Sequence, residues 1–535
     1  MMRLIRKHVS FLLALALCLS VCLLFCTRKK GMFIDEIYTY GLSNSAYAPY
    51  LSDLRDGELI DQVFTQEDIQ EYLTVGENDA FSFGSVYYNQ TQDVHPPLYY
   101  MLIHLVSSLF RGSSSMWIGL GVNVVLYLLT LAALYFLALR LYGSEELGAI
   151  AVLLYGLSVI GTSTVMMIRM YMLLTLFTVL LALAVLRVLR EGGRKSSYLL
   201  LTLTMFCGMM TQYYFVFYAF FLCAIAFFFL AAQKQWRRVG AFSLAALLGV
   251  GLMFLVFPAA VRHLFVGNGQ VVGGSSVLES LRDTARFREH IDDFRMAEDK
   301  MKAIRQVFWG SVCLLLPALW VLHRRKEKPS VSPQALILLL PAPLAFLAVA
   351  IVSPVQELRY IYNLIPIFVL GVCFVLMPAV QALGEGWLAF WGKKGAVLLV
   401  AALAVLSAKA MPPSTLFPTM TEYDEAIEAH CEDKCVYYSD GYFSSVTQDL
   451  LQLRLFPEFL VANSTLSETL SDYIAEEEEI VLYIDTDEDW SSGYDAEKVL
   501  RSFAKNLGFT HAELLYRYSF EGNGGLSECY VLTRQ

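Results

Sequence analysis

Ionisable side chains at the ends of long apolar runs give the first indication of chemistry in this sequence. Directly after the first run comes Phe33-Ile34-Asp35-Glu36-Ile37-Tyr38, with two adjacent carboxylates. Further on stands Asp93-Val94-His95-Pro96-Pro97-Leu98-Tyr99-Tyr100, where two prolines fix an extended approach to a helix and hold an Asp and a His at its start. Ile168-Arg169-Met170-Tyr171 and Gln356-Glu357-Leu358-Arg359-Tyr360 each open a later apolar run with an Arg and a Tyr. Taken singly, a carboxylate pair beside a membrane is plain interfacial polarity and an Arg there is a snorkelling anchor. Ionisable groups kept near lipid are nevertheless functional candidates by default. A carboxylate that takes a proton from an attacking hydroxyl, with guanidinium forks that neutralise a departing phosphate, is the equipment for moving a sugar off a membrane-bound phosphate donor.

The elements that must position these residues are membrane helices. Of 535 residues, 56% are hydrophobic and only 17% charged, and the mean hydropathy is +0.52, well outside the range of soluble globular chains. A hydrocarbon core of about 30 Å needs roughly 20 apolar residues per helix. Eleven spans are expected, at 9–27, 116–139, 146–167, 169–189, 197–213, 214–232, 238–260, 304–322, 333–353, 360–380 and 395–411. With the amino terminus (Arg3, Arg6, Lys7) inside, Arg140, the Arg187–Lys195 cluster, Lys234–Arg238, Arg324–Lys328 and Lys393–Lys394 all fall on the inner side. Arg28, Lys29 and Lys30 are the one violation. Leu98 to Phe110 is too short to cross and is expected to lie along the outer interface, within a long outer loop of residues 28–115. A second long outer loop covers 261–303, with a glycine-rich Gly267 to Ser276 stretch and a charged region from Arg282 to Asp293.

Residues 1–411 thus read as a transmembrane domain and 412–535 as an acidic extracytoplasmic one. The tail holds 24 acidic against 7 basic residues, a balance of −17, so the preceding residues carry 33 basic against 25 acidic, or +8. Such acidity excludes nucleic acid as a partner and is ordinarily a solvated surface. Strands are expected at Val436–Ser439, Glu458–Ala462 and Ile480–Asp485, helices at Ser444–Arg454, Leu466–Ile474 and Ala496–Asn506, and a hairpin around Gly522-Asn523-Gly524-Gly525: a small α/β domain. A short helix is expected at Phe64 to Tyr72 in the first loop. Seven of the ten cysteines lie in apolar runs; Cys431-x3-Cys435 is spaced for a disulfide, with no second pair to make a zinc site.

The Asp-Glu after the first span, the His-Pro-Pro-Leu-Tyr-Tyr that closes the first outer loop, the Arg-x-Tyr of the fourth span and the later Arg-Tyr resemble the GT-C glycosyltransferases related to protein O-mannosyltransferases and the bacterial aminoarabinose transferase. The resemblance covers residues 1 to about 410. It implies a GT-C fold and an inverting membrane glycosyltransferase of the bacterial plasma membrane, with its active site on the extracytoplasmic side. The donor would be a polyprenyl-phosphate-linked sugar, and the acceptor a glycan, lipid or protein of the cell envelope. Asp35 matches the catalytic-base position, with Glu36 beside it. Asp93 and His95 would line the same cavity; Arg169 with Tyr171 and Arg359 with Tyr360 would meet the donor phosphate. Some relatives use a divalent metal held by first-loop carboxylates, for which Asp35, Asp93 and His95 are candidate ligands.

Two rival readings belong to other classes. A transporter or flippase of an envelope precursor also has many helices and few charges, but would place its ionisable groups near the midplane in broken helices. Catalysis in the tail would use Ile484-Asp485-Thr486-Asp487 as an Asp-x-Asp for a metal and a nucleotide sugar, yet such a tail is short and no glycine-rich phosphate loop accompanies it.

Overall fold

The computed structural model describes residues 8–265, 299–329, 332–353, 357–441, 443–487, 493–519 and 525–534. The chain forms two compact units. One comprises Met1–Thr27, Asp93–Tyr99 and Gly119–Ser414; the other comprises Arg28–Gln92, Tyr100–Ile118 and Thr415–Gln535.

The first unit is helical. Among the described residues, nine helices of the chain are long and apolar enough to cross a membrane: Val9–Cys26, Met116–Tyr142, Tyr171–Glu191, Phe215–Ala232, Trp236–Val256, Lys302–Arg324, Pro333–Val352, Leu358–Ala382 and Trp387–Ala410. Glu145–Gly156 and Val159–Met166, bent by 58°, make a tenth when taken as one span. The bend has a local cause: Ser158 leaves the helix, donates to the Tyr155 carbonyl at 2.7 Å and caps the next helix by accepting from the Gly161 N–H at 2.9 Å. The eleventh expected span is not one of these. Lys195–Met209 has 15 residues, about 22 Å at 1.5 Å each, because the polar Thr211 and Gln212 turn the chain before Phe215. Leu98–Ser107 has ten residues, about 15 Å, too few to cross.

Basic residues that the charge pattern groups on one side take part in linked contacts of this unit. Lys394 Nζ lies 3.2 Å from Glu145 and 3.0 Å from Glu146 and donates to Ser10 Oγ at 2.7 Å. Arg190 donates to the Arg140 carbonyl at 2.5 Å, and Arg238 to that of Leu189 at 3.1 Å. Arg3, Arg6 and Lys7 lie outside the described residues, as do the Gly267 to Ser276 stretch and the charged Arg282 to Asp293 region.

The second unit is built on a six-stranded sheet of order β1-β3-β2-β4-β6-β5. Its strands are β1 (Gln62–Thr65), β2 (Lys434–Tyr438), β3 (Glu458–Ala462), β4 (Glu479–Asp485), β5 (Phe509–Ser519) and β6 (Gly525–Arg534). The central β3, β2 and β4 are parallel, and the remaining pairings are antiparallel. Central parallel strands are covered on both faces, and alternation along β2 shows it. Val436 and Tyr438 pack with Leu482, Val499 and Phe503, whereas Cys435 and Tyr437 face a tyrosine layer in which Tyr437 stacks on Tyr483 at 5.8 Å. The expected strands are present, and the expected helices appear as Phe443–Gln448 with Leu450–Leu453, Glu468–Tyr473 and Ala496–Leu507. The hairpin tip lies outside the described residues; β5 and β6 pair on either side of it.

Strand β1 was not expected. It comes from the first loop and pairs with β3, Phe64 opposite Phe459 with rings 5.6 Å apart. The helix expected at Phe64 to Tyr72 starts later, at Gln66, where Thr65 and Asp68 close a capping box. Cys431 and Cys435 are both free thiols. The Cys431–Cys435 disulfide does not form because Cys431 sits in a helical turn with its thiol on the Ile427 carbonyl, 3.4 Å away, while Cys435 is buried on β2.

Candidate active site

In the first unit, the segment that follows Gln92 brings Asp93 and His95 together. Asp93 Oδ2 and His95 Nδ1 are hydrogen-bonded at 2.8 Å. Burial pushes the Asp93 carboxyl up, but the His95 ring and the Arg169 guanidinium outweigh it and hold the acid below its usual value. Asp93 also acts electrostatically on Tyr213, whose hydroxyl is 3.0 Å from His263 Nδ1. The Leu98 N–H donates to the Met210 carbonyl at 3.1 Å, tying the proline segment to the turn that carries Tyr213.

Arg169 stands between the helices Val159–Met166 and Tyr171–Glu191 and is 5% exposed. The helix Met116–Tyr142 shapes its seat with two residues one turn apart. At Gly119 the chains come so close that a Cβ would stand 2.1 Å from Ile168 Cγ2. At the fully buried Asn123, Nδ2 donates to the Val165 carbonyl at 3.0 Å and to the Met167 carbonyl at 2.8 Å, and Oδ1 accepts from the Tyr99 hydroxyl at 2.9 Å. Asn123 therefore ties the segment of Asp93 and His95 to the backbone that presents Arg169. A lone Asn inside an apolar span is a readable signal of such a role, and the expected site did not include it.

Arg359 lies in a 3-10 turn, Leu358–Leu364, that packs on the helix beginning at Tyr171. Its guanidinium is 5.8 Å from the Tyr360 ring and 4.0 Å from Glu357. Tyr360 stacks on Tyr214 at 4.9 Å, and Tyr171 meets Tyr362 edge-on at 6.1 Å. The turn is pinned by Asn363 Nδ2, which donates to Thr178 Oγ1 at 3.1 Å. Asp93, His95 and Arg169 thus form one cluster, and Arg359, Tyr360 and Tyr171 belong to elements packed beside it.

In the second unit, Asp35 and Glu36 begin the helix Ile34–Asn44 and differ sharply in surroundings. Asp35 is half-buried. Glu36 is fully buried, accepts from the Phe33 N–H at 2.6 Å and pairs with Lys29 at 2.9 Å. Lys29 also donates to the Thr415 carbonyl at 2.6 Å and lies 5.2 Å from the Phe417 ring. The basic residue that violates the charge bias is thus a buried partner of Glu36.

Asp485 and Asp487 of the Asp-x-Asp motif close strand β4. Asp485 is fully buried, accepts from Ser439 Oγ at 3.2 Å and receives the Asp487 N–H at 3.1 Å, the arrangement of an acidic turn. Among the described residues, the one group of three His, Cys, Asp or Glu side chains close enough to share a metal is His430, Asp433 and Glu479.

The family model described as dolichyl-phosphate-mannose-protein mannosyltransferase matches residues 94–261, a minority of the chain that includes His95, Arg169 and Tyr171. No curated protein sequence matches. Among solved structures, the chain is similar to ArnT from Cupriavidus metallidurans bound to undecaprenyl phosphate, at 11% identity and a TM-score of 0.50, with 97% of each chain covered. The apo state of the same protein gives 12% identity and a TM-score of 0.51, again over 97% of each chain.

Proposed function

This chain is an integral membrane protein with the GT-C fold, and on that premise we propose that it transfers a sugar from a polyprenyl-phosphate donor to a cell-envelope acceptor, on the extracytoplasmic face, with inversion at the anomeric carbon. The observation that carries this reading is the buried Arg169 clamped next to Asp93 and His95. A guanidinium held in place before substrate arrives can accept a phosphate without reorganisation. ArnT, whose fold is similar, has been crystallised with undecaprenyl phosphate, and a lipid phosphate is what Arg169 and Arg359 would meet here.

In the step itself the acceptor hydroxyl attacks the anomeric carbon and loses its proton to Asp35. The bond from that carbon to the phosphate oxygen breaks, its electron pair stays on the phosphate, and polyprenyl phosphate leaves. The leaving group gains negative charge, which Arg169 and Arg359 stabilise; Tyr171 and Tyr360 frame the two guanidinium groups, and the Asp93–His95 pair fixes the wall beside Arg169. Glu36 is held by Lys29 and the Phe33 N–H, which supports reading Asp35 as the base. The bent span breaks at Leu157 and Ser158 with no ionisable side chain, unlike the broken helices of carriers, which coordinate their cargo there.

The test is mass spectrometry of lipid-linked sugars and envelope glycans from cells with and without the protein. Loss of one decoration with build-up of its lipid donor is expected; unchanged glycans and donors refute the reading. A thiol placed at Leu466, 79% exposed in the tail, should react with membrane-impermeant reagents on intact cells, and reaction only after permeabilisation would put the chemistry on the other face.

A further inference from the structure

The second unit holds a polar cavity of about 470 Å³ whose walls include Asn44, Gln70, Glu71, Glu77, Asp79 and Arg111, within the size range of small-ligand sites. The helix that starts with Asp35 ends in this wall. Asn44 is 2% exposed; its Nδ2 donates to the Leu73 carbonyl at 2.9 Å, while its Oδ1 has no hydrogen-bond partner. A buried amide oxygen left so costs about 1–3 kcal/mol, which a ligand donor would remove. Glycine at 76 brings Asp79 in close, since a Cβ there would stand 2.7 Å from Asp79 Oδ2. Arg111 donates to the Glu77 carbonyl at 3.3 Å and closes the wall.

Three carboxylates and an amide oxygen against one guanidinium make a lining rich in acceptors, so the occupant is rich in donors. One metal ion does not fit: among the described residues Glu71, Glu77 and Asp79 do not form a group close enough to share one. Separated acceptors, with the planar amides of Asn44 and Gln70, suit the hydroxyls around a sugar ring. We propose that this cavity binds one sugar residue of the acceptor, an inference that rests on the glycosyltransferase reading above. Asn44 stands nine residues after Asp35 on one helix, about 13.5 Å along its axis. The sugar held at Asn44 is therefore not the one deprotonated at Asp35. It follows that the acceptor is an oligosaccharide or longer glycan, gripped at one residue and glycosylated at another, with remote binding energy used to position the reacting hydroxyl.

The experiment applies the full-length protein in detergent, fluorescently labelled, to a printed array of mono- to hexasaccharides, with undecaprenyl phosphate binding measured in parallel. Wild type should retain a set of oligosaccharides and bind the matching monosaccharides at least tenfold more weakly. The double variant Glu71→Gln/Asp79→Asn, which alters cavity walls without touching a buried bond, should lose at least tenfold in glycan binding and none in lipid binding; Asn44→Leu should do the same if it folds. Equal glycan binding by wild type and the double variant, or no glycan retained by a wild type that still binds the lipid, overturns the inference and leaves the transferase reading standing. Failure of wild type to bind undecaprenyl phosphate counts against the transferase reading instead.

Discussion

Lys29→Met should cripple the fold around Asp35 rather than its chemistry, and the size of the effect follows from burial. Lys29 and Glu36 side chains are both 0% exposed, 2.9 Å apart, and share their remaining bonds with the Thr415 carbonyl and the Phe33 N–H. Removing one partner of a buried pair leaves the other charge uncompensated and costs about 3–5 kcal/mol. Lys29→Met and Glu36→Gln should each lose that much in pulse proteolysis of the detergent-solubilised protein. The double variant Lys29→Met/Glu36→Gln leaves no buried charge and should recover about 2 kcal/mol or more, a coupling expected of residues in contact. The kinetic arm separates structure from catalysis. A lost general base costs about 10²- to 10⁴-fold, so turnover per folded molecule should fall by less than about tenfold in both single variants. If Glu36→Gln loses a hundredfold or more while Lys29→Met turns over like wild type, Glu36 is the base and the assignment to Asp35 is wrong.

Asp35→Asn should lower turnover by about 10²- to 10⁴-fold with unchanged abundance; wild-type turnover would remove Asp35 as the base. Asn123→Leu strands the Val165 and Met167 carbonyls and the Tyr99 hydroxyl, each at about 1–3 kcal/mol, and should raise the donor KM more than it lowers kcat; an unchanged KM would mean that the clamp does not position Arg169. Gly119→Ala should act in the same direction, because its Cβ displaces Ile168 beside Arg169. Burial raises the Asp449 carboxyl from 3.8 to about 7, so the unfolded chain releases this proton before the folded one does. Stability from this group is full below about pH 4 and declines as pH rises towards 7, by on the order of 4 kcal/mol; Asp449→Asn should abolish that component and stabilise the protein at pH 7 and above, and parallel stability–pH curves for variant and wild type would refute it.

Much of this was legible because membrane burial writes itself into composition. Twenty apolar residues in a row have few alternatives, and the ionisable residues at their ends stand out against them, which is how Asp93, His95, Arg169 and Arg359 come to be named from sequence. The central strands of the tail were equally readable, since Val436, Leu460 and Leu482 lie in short apolar runs bounded by turn residues. What stayed hidden depends on pairing across distance. Nothing local marks Gln62–Thr65 as a strand; it exists because Phe64 finds Phe459. Lys29 reads as a misplaced inner-side charge because its partner Glu36 is recognised only when both are seen buried. The helix expected over 197–213 is shorter than hydropathy alone suggests, because Thr211 and Gln212 turn the chain.

The same distant pairing changes what the acidic tail is for. Segment 28–92 has little sheet of its own: a four-residue strand cannot persist without a partner, and β1 has one only in β3 of the tail. On either side of β1, Asp61 and Gln66 donate their backbone N–H groups to the Val461 and Pro457 carbonyls at 2.8 and 3.1 Å, and Ser467 Oγ donates to Asp61 Oδ1 at 2.7 Å. At the other end the Lys30 N–H reaches the Leu416 carbonyl at 2.8 Å, and Lys29 the Thr415 carbonyl. Gly31 allows that approach, since a Cβ there would stand 2.6 Å from Met420 Cγ. Every one of these bonds is made by the stretch that carries Asp35, and every partner lies beyond residue 414. A chain cut after Met411 would therefore remove the β3 partner of β1 and take the Thr415 carbonyl from the buried Lys29 ammonium, a lost buried bond at about 1–3 kcal/mol. Transfer activity should vanish with the tail, and a truncated protein that retained turnover would show that the helix of Asp35 holds its place without it.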